Sequence, residues 1–139
     1  MNWIVWSLLA AVFAAATALL AKAGVEGVNP LVANAVRTTV VFGLAWLVVL
    51  GGGAMSSAQG LSSRTWWLLG GSGLATGLSW LCYMRALQMG PVSRVAPIDK
   101  LSVVLVAVLG VWLLGEQLSL RGWIGVALMG IGAALVAWP

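Results

Sequence analysis

Long apolar runs separated by short polar breaks dominate this sequence. A helix needs about 20 apolar residues to cross the ~30 Å hydrocarbon layer of a membrane. Asn29-Pro30 marks a helix start, because Pro is favoured in a first turn, and the Gly/Ser-rich residues 51–64 indicate a loop. The pattern predicts five membrane-spanning helices, over residues 3–21, 30–50, 66–88, 92–114 and 120–138. An odd number of spans places the termini on opposite sides, here named side A (N-terminal) and side B.

Composition supports a membrane location over every soluble class. Of the 139 residues, 62% are hydrophobic and 7% are charged, against about 45–50% and 25% in soluble domains. This excludes an ordinary cytosolic enzyme and a disordered tail. The net charge of +4 comes from basic residues scattered singly, so no basic stripe is available for nucleic acid. One Cys and no His give no usual metal or disulfide site.

The first apolar run has an alternative interpretation as a signal peptide. Ala21-Lys22-Ala23 resembles a small-residue cleavage site, but Met1-Asn2 supplies no basic n-region, and further spans follow. We therefore expect the first run to remain as a span. The sequence predicts an all-α integral protein of the cell (inner or plasma) membrane, organised as one domain over residues 1–139.

Four charged residues, Arg37, Arg85, Asp99 and Lys100, need an explanation within the predicted spans, whereas Arg94 can snorkel to the interface and Arg121 lies at a helix end. At about 1.5 Å per residue, Arg37 and Asp99 lie ~10 Å inside helices that enter from side B. Ionisable residues within a membrane are costly and usually face a cavity or each other. Arg85, close to its helix end, can instead snorkel to the interface.

Helical spacing of about 100° per residue groups the polar side chains of three spans onto single faces. We expect a polar cavity open to side B, lined by Asn34, Arg37, Trp80, Tyr83, Asp99, Lys100 and Ser102. The alternative is an Arg37–Asp99 ion pair that only holds helices together, with Trp80 and Tyr83 in a packed core. Pro97 frees a backbone carbonyl just before Asp99.

Small residues recur along the last predicted span and leave little side-chain volume on its surface. Helices in lipid approach closely where such residues recur. We expect a contact between subunits at Gly125, Gly130, Gly132 and Ala134; tight packing within one subunit is the alternative.

Two segments, Arg85–Pro97 (RALQMGPVSRVAP) and Leu113–Ser119 (LLGEQLS), resemble the end of an EamA domain of the drug/metabolite transporter superfamily. Such domains usually occur as two five-helix repeats in inverted orientation, and this chain resembles the half-size members that supply one. The resemblance implies a secondary transporter, an exporter of small metabolites, with no cofactor. Four-helix small multidrug resistance relatives use an acidic residue in their first helix, which residues 1–21 lack.

An inverted-repeat transporter binds its solute at the midplane between two halves, so we expect an antiparallel homodimer of ten helices. Lys and Arg are nearly balanced between the loops of the two sides, which favours dual topology. Three basic residues against Asp99 favour a solute that bears carboxylate or phosphate, amino acids included. Asp99 is the one intramembrane carboxylate available for a coupling proton. The alternatives are a multidrug-type cation exporter, or a non-transporting subunit or lipid-handling scaffold; no catalytic motif suggests an enzyme.

Overall fold

The computed structural model describes residues 2–58 and 60–138, and within these residues the chain is mainly helical with no β-strand. The helices are α1 Trp3–Val25, α2 Pro30–Gly51, α3 Met55–Ala58, α4 Ser63–Met89, α5 Val92–Asp99, α6 Leu101–Leu114 and α7 Leu120–Ala137. Helices cover all five predicted segments, with ends shifted by a few residues, and a total of five membrane spans stays a prediction. The predicted loop over residues 51–64 differs, since it contains the one-turn helix α3.

Among the described residues, four segments are long and apolar enough to cross a membrane: α1, α2, the pair α5 and α6 taken together, and α7. The helix α4, with 27 residues, has the length but not the apolar character, because Gly, Ser and Thr recur along it. Large apolar side chains on the candidate spans are exposed throughout, as at Trp112 and Leu135. A soluble protein rarely exposes such extensive apolar surface, so this is an integral membrane protein.

Polar side chains and glycine define the helix ends. Asn29 Oδ1 accepts a hydrogen bond from the Leu31 amide at 2.9 Å, immediately before Pro30 at the start of α2. Ser119 Oγ accepts from the Gly122 amide at 3.2 Å and starts α7 in the same way. The side-chain oxygen in each case pairs an amide that the first turn leaves without a helical partner.

The predicted helix over residues 92–114 forms one candidate span, interrupted by a single turn residue, Lys100. The Lys100 amide donates to both Ala96 O at 3.2 Å and Pro97 O at 3.1 Å, which tightens the turn. Pro97 has no N–H and removes one helical hydrogen bond. The break therefore falls three residues after the proline, between α5 and α6.

The chain divides into two compact units, Met1–Leu20 with Met89–Pro139, and Ala21–Gln88. In the first unit, α7 packs against α5 and α6. Val126 and Ala133 are buried there, and a Cβ at Gly130 would lie 3.5 Å from Val104 Cγ2. Part of the small-residue surface of α7 is therefore used within the chain.

The end of α6 in the same unit carries a close contact between Glu116 and Gly110. Gly115 has φ +68°, a left-handed conformation that favours glycine, and it turns the chain back. The Glu116 amide donates to Gly110 O at 3.2 Å. A Cβ at Gly110 would lie only 3.0 Å from Glu116 Oε2, so this position requires glycine while the glutamate holds its place.

The second unit, Ala21–Gln88, has its core where the end of α1 meets the end of α4. Val25, Met84 and Leu87 are the fully buried side chains there. Lys22 Nζ donates to Leu87 O at 2.8 Å, near the C-terminal end of α4. The positive charge is stabilised there because the C-terminal end of a helix carries partial negative charge. Gln88 Nε2 donates to Val25 O at 3.3 Å and to Val28 O at 2.6 Å.

Candidate functional site

Arg37 is the central charged residue of the unit Ala21–Gln88. It lies seven residues after the start of α2, which places its backbone ~10 Å along the span. Its guanidinium carbon lies 4.1 Å from the centroid of the Trp80 ring on α4. A cation over an indole face at this distance is attracted by the ring quadrupole, by about 0.5–2 kcal/mol depending on desolvation. Trp80 therefore stabilises the position of the guanidinium. That Trp80 lines a polar cavity stays a prediction.

Two buried polar atoms beside this stack make no hydrogen bond to any residue that the structure describes. They are Arg37 Nη1 and Asn34 Oδ1. The first is a donor and the second an acceptor, and residues three apart on a helix are neighbours. Each unpaired buried group costs about 1–3 kcal/mol, so this face of α2 is built at a cost to stability.

Tyr83 completes the part of the predicted site that lies in this unit. It stands one turn after Trp80 on α4 and interacts electrostatically with Arg37. The structure thus brings together three of the predicted site residues, Arg37, Trp80 and Tyr83, with Asn34 one turn before Arg37 on α2.

The other predicted residues, Asp99, Lys100 and Ser102, lie at the break between α5 and α6. Lys100 Nζ lies 3.1 Å from Asp99 Oδ2, with side chains 61% and 34% exposed respectively. Ser102 Oγ donates to Asp99 O at 2.7 Å. This cluster and the Arg37 cluster belong to different compact units, and a single cavity lined by both stays a prediction.

Sequence reasoning missed Gln88, which connects three segments of the unit Ala21–Gln88. Its Oε1 accepts from Arg85 Nη1 at 3.3 Å, while its Nε2 serves the two carbonyl groups described above. Arg85 thus has a hydrogen-bond partner on its own helix. No local signal in the sequence indicates this role, because the two carbonyl groups that the amide reaches lie 60 and 63 positions away.

The chemistry available at Arg37 is recognition of an oxyanion. A guanidinium presents several donors in a planar fork that matches carboxylate and phosphate oxygens. Within the described residues, no group of three or more His, Cys, Asp or Glu side chains is placed to hold a metal ion.

Known proteins similar to this chain are membrane transporters. A protein of a Sinorhizobium species named "uncharacterized transporter in cobO 3'region" is 48% identical over 136 residues, which cover 98% of this chain and 96% of that protein. Several proteins named probable 4-amino-4-deoxy-L-arabinose-phosphoundecaprenol flippase subunit ArnE match over a shorter length. The one from Erwinia tasmaniensis is 40% identical over 68 residues, 49% of this chain and 63% of that protein. The one from Yersinia pestis (strain Pestoides F) is 35% identical over 65 residues, 47% and 57%.

No solved structure matches the chain. Residues 1–138, nearly the whole chain, match the EamA-like transporter family. This extent, together with the apolar helices and the nearly full-length relative, shows that the chain belongs to the EamA-like transporter family.

Proposed function

We propose that the protein is a secondary transporter of a small solute bearing carboxylate or phosphate, and that Arg37 binds the negative group. The observation that carries this proposal is the guanidinium of Arg37, held on Trp80 within the span α2 with one donor unpaired. The protein then acts as an exporter in the cell membrane and needs no cofactor.

The charge balance of the unit Ala21–Gln88 supports an anionic solute. This unit contains four basic residues but a single acidic one, Glu26, which follows the end of α1. Lys22 and Arg85 donate to Leu87 O and to Gln88 Oε1. An uncompensated charge in a medium of low dielectric is expensive, so a negative partner for Arg37 stabilises the site.

Transport by alternating access requires a second half, and we propose that a second copy supplies it in antiparallel orientation. On α7, a Cβ added at Gly125 or Gly132 would meet nothing within 4 Å, which leaves room for another helix. Gly130 already lies near Val104, while Ala134 is exposed. In this proposal Gly125 and Gly132 make the closest subunit contact, and nearly balanced loop charges allow both orientations.

Proton coupling is a further part of the proposal, assigned to Asp99. Its carboxylate lies at a helix break within the span formed by α5 and α6, and broken helices often line coupling sites in transporters. Protonation would release Lys100 from the pair and change the local charge.

A second candidate function, a subunit that handles a lipid-linked solute, is favoured by the similarity to proteins named as flippase subunits. The candidate shares the chemistry of the first, because a lipid-linked phosphate is also an oxyanion. The two candidates differ in what is moved across the membrane, which is a free solute in the first and a lipid-linked solute in the second.

Flux into proteoliposomes distinguishes these functions. Labelled carboxylates, phosphate esters, a quaternary ammonium drug and a fluorescent phospholipid are each offered to wild type, Arg37→Gln and Arg64→Gln. Arg64 lies at the start of α4 and serves as the matched control. We expect anion flux in wild type and in Arg64→Gln, with a loss of about 10–100-fold in Arg37→Gln. Lipid movement without solute flux would favour the second candidate. Export of the drug without anion flux would contradict the proposal.

A further inference from the structure

We infer that the solute bound at Arg37 carries a hydrogen-bond donor beside its anionic group, and that Asn34 Oδ1 accepts from it. The inference rests on the proposed function and narrows the substrate class to solutes that bear both groups. It follows from the two unpaired atoms of α2, since Arg37 Nη1 needs an acceptor and Asn34 Oδ1 needs a donor.

The two atoms do not satisfy each other, although they are complementary and lie on neighbouring positions of one helix. The stack on Trp80, 4.1 Å from the ring centroid, accounts for this by holding the guanidinium away. The backbone carbonyl of Asn34 is already engaged, since Thr38 Oγ1 donates to it at 2.7 Å. The side-chain oxygen is thus the acceptor of Asn34 that remains available.

Arg37 has donors only and cannot accept from a ligand. Side chains three positions apart on a helix have Cβ atoms about 5–6 Å from each other. One small headgroup can therefore present an anionic oxygen to Arg37 and an N–H to Asn34. Both atoms are covered in this structure, so the ligand binds when the α2 and α4 faces part, as alternating access requires.

Two sources supply this chemistry: a free zwitterion such as an α-amino acid, or an amine-bearing phosphate headgroup, free or attached to a lipid. N-methylation gives a matched control for each source. Betaine keeps the carboxylate and the cationic nitrogen of glycine but has no N–H. Phosphocholine likewise keeps the phosphate and the cationic nitrogen of phosphoethanolamine but has no N–H.

Binding of these four compounds to the purified protein in detergent tests the inference, by titration calorimetry. We expect the amine-bearing member of at least one pair to bind about tenfold more tightly than its methylated analogue, the value of one charge-assisted hydrogen bond. A lipid arm compares fluorescent phosphatidylethanolamine and phosphatidylcholine in proteoliposomes. Discrimination in the soluble pairs identifies a free solute, whereas discrimination confined to the lipid pair identifies a lipid headgroup.

The variant Asn34→Leu should lose this discrimination, because binding of the amine-bearing compound falls to that of the methylated one. Thr39→Val, on the same helix but with its hydroxyl bonded to Ala35 O, should keep it. The wild-type comparison stands by itself if Asn34→Leu does not fold.

Two results would overturn the inference, and they have different meanings. Equal affinity within every pair, with binding still abolished in Arg37→Gln, would overturn the donor requirement and leave the anion transporter intact. No binding of any anion, or binding unchanged in Arg37→Gln, would overturn the proposed function together with the inference.

Discussion

The amide of Gln88 joins the end of α4 to two backbone carbonyl groups, and its removal should weaken the unit Ala21–Gln88. The two bonds, to Val28 O and Val25 O, measure 2.6 and 3.3 Å. Val25 O also accepts from the Val28 amide at 3.3 Å, so it keeps one partner when the side chain is lost. The cost is then mainly that of these two hydrogen bonds, each about 0.5–1.5 kcal/mol, because the third, from Arg85 Nη1 to Gln88 Oε1, is long at 3.3 Å and exposed. Gln88→Leu should lower the free energy of unfolding by about 2 kcal/mol.

Unfolding by SDS in mixed micelles, followed by far-UV circular dichroism, measures this change. Gln117→Leu provides the matched control, because Gln117 lies in the exposed segment between α6 and α7. Gln88→Glu keeps the size but turns a carboxylate towards carbonyl oxygens, and should be at least as damaging as the leucine. If Gln88→Leu is as stable as Gln117→Leu, the contact does not hold the ends of the helices together.

Three further predictions concern packing, coupling and orientation. Gly110→Ala should be less stable than Gly43→Ala by about 1 kcal/mol in the same unfolding assay, because a Cβ at Gly110 meets the Glu116 carboxylate at 3.0 Å, whereas one at Gly43 meets nothing within 4 Å. Asp99→Asn should abolish uptake driven by a proton gradient yet retain solute exchange, and full gradient-driven uptake would exclude Asp99 as the proton site. Two lysines added within residues 51–64 should shift C-terminal reporter fusions from both orientations to one; a single orientation in wild type would refute dual topology.

The positions of the helices were predictable because lipid imposes long apolar runs. The break at Lys100 was not, although Pro97 was visible in the sequence. A proline removes a hydrogen bond at a known place, but where the backbone turns depends on which carbonyl groups the following amides reach. Here the Lys100 amide reaches both Ala96 O and Pro97 O. A fifth span at α4 stays a prediction, since Gly, Ser and Thr recur among its apolar residues.

The candidate site was predictable where it depends on one helix and less so where it depends on tertiary contacts. The spacing of Asn34 and Arg37 on α2 follows from helix geometry alone. The stack on Trp80 joins residues 43 positions apart, and the sequence could indicate only that both belong to one polar cavity. Gln88 bonds over 60 and 63 positions and was missed, because no local pattern encodes such a pair.

The kinetics of anion uptake by Arg37 variants show whether the charge of this residue binds the transported anion. Uptake into proteoliposomes is measured for the anion that wild type transports fastest, in wild type, Arg37→Lys and Arg37→Gln. Lysine keeps the charge but not the planar fork, so the account predicts a raised KM with measurable flux in Arg37→Lys and flux near background in Arg37→Gln. Equal uptake by Arg37→Gln and wild type would contradict the claim that Arg37 binds the transported anion.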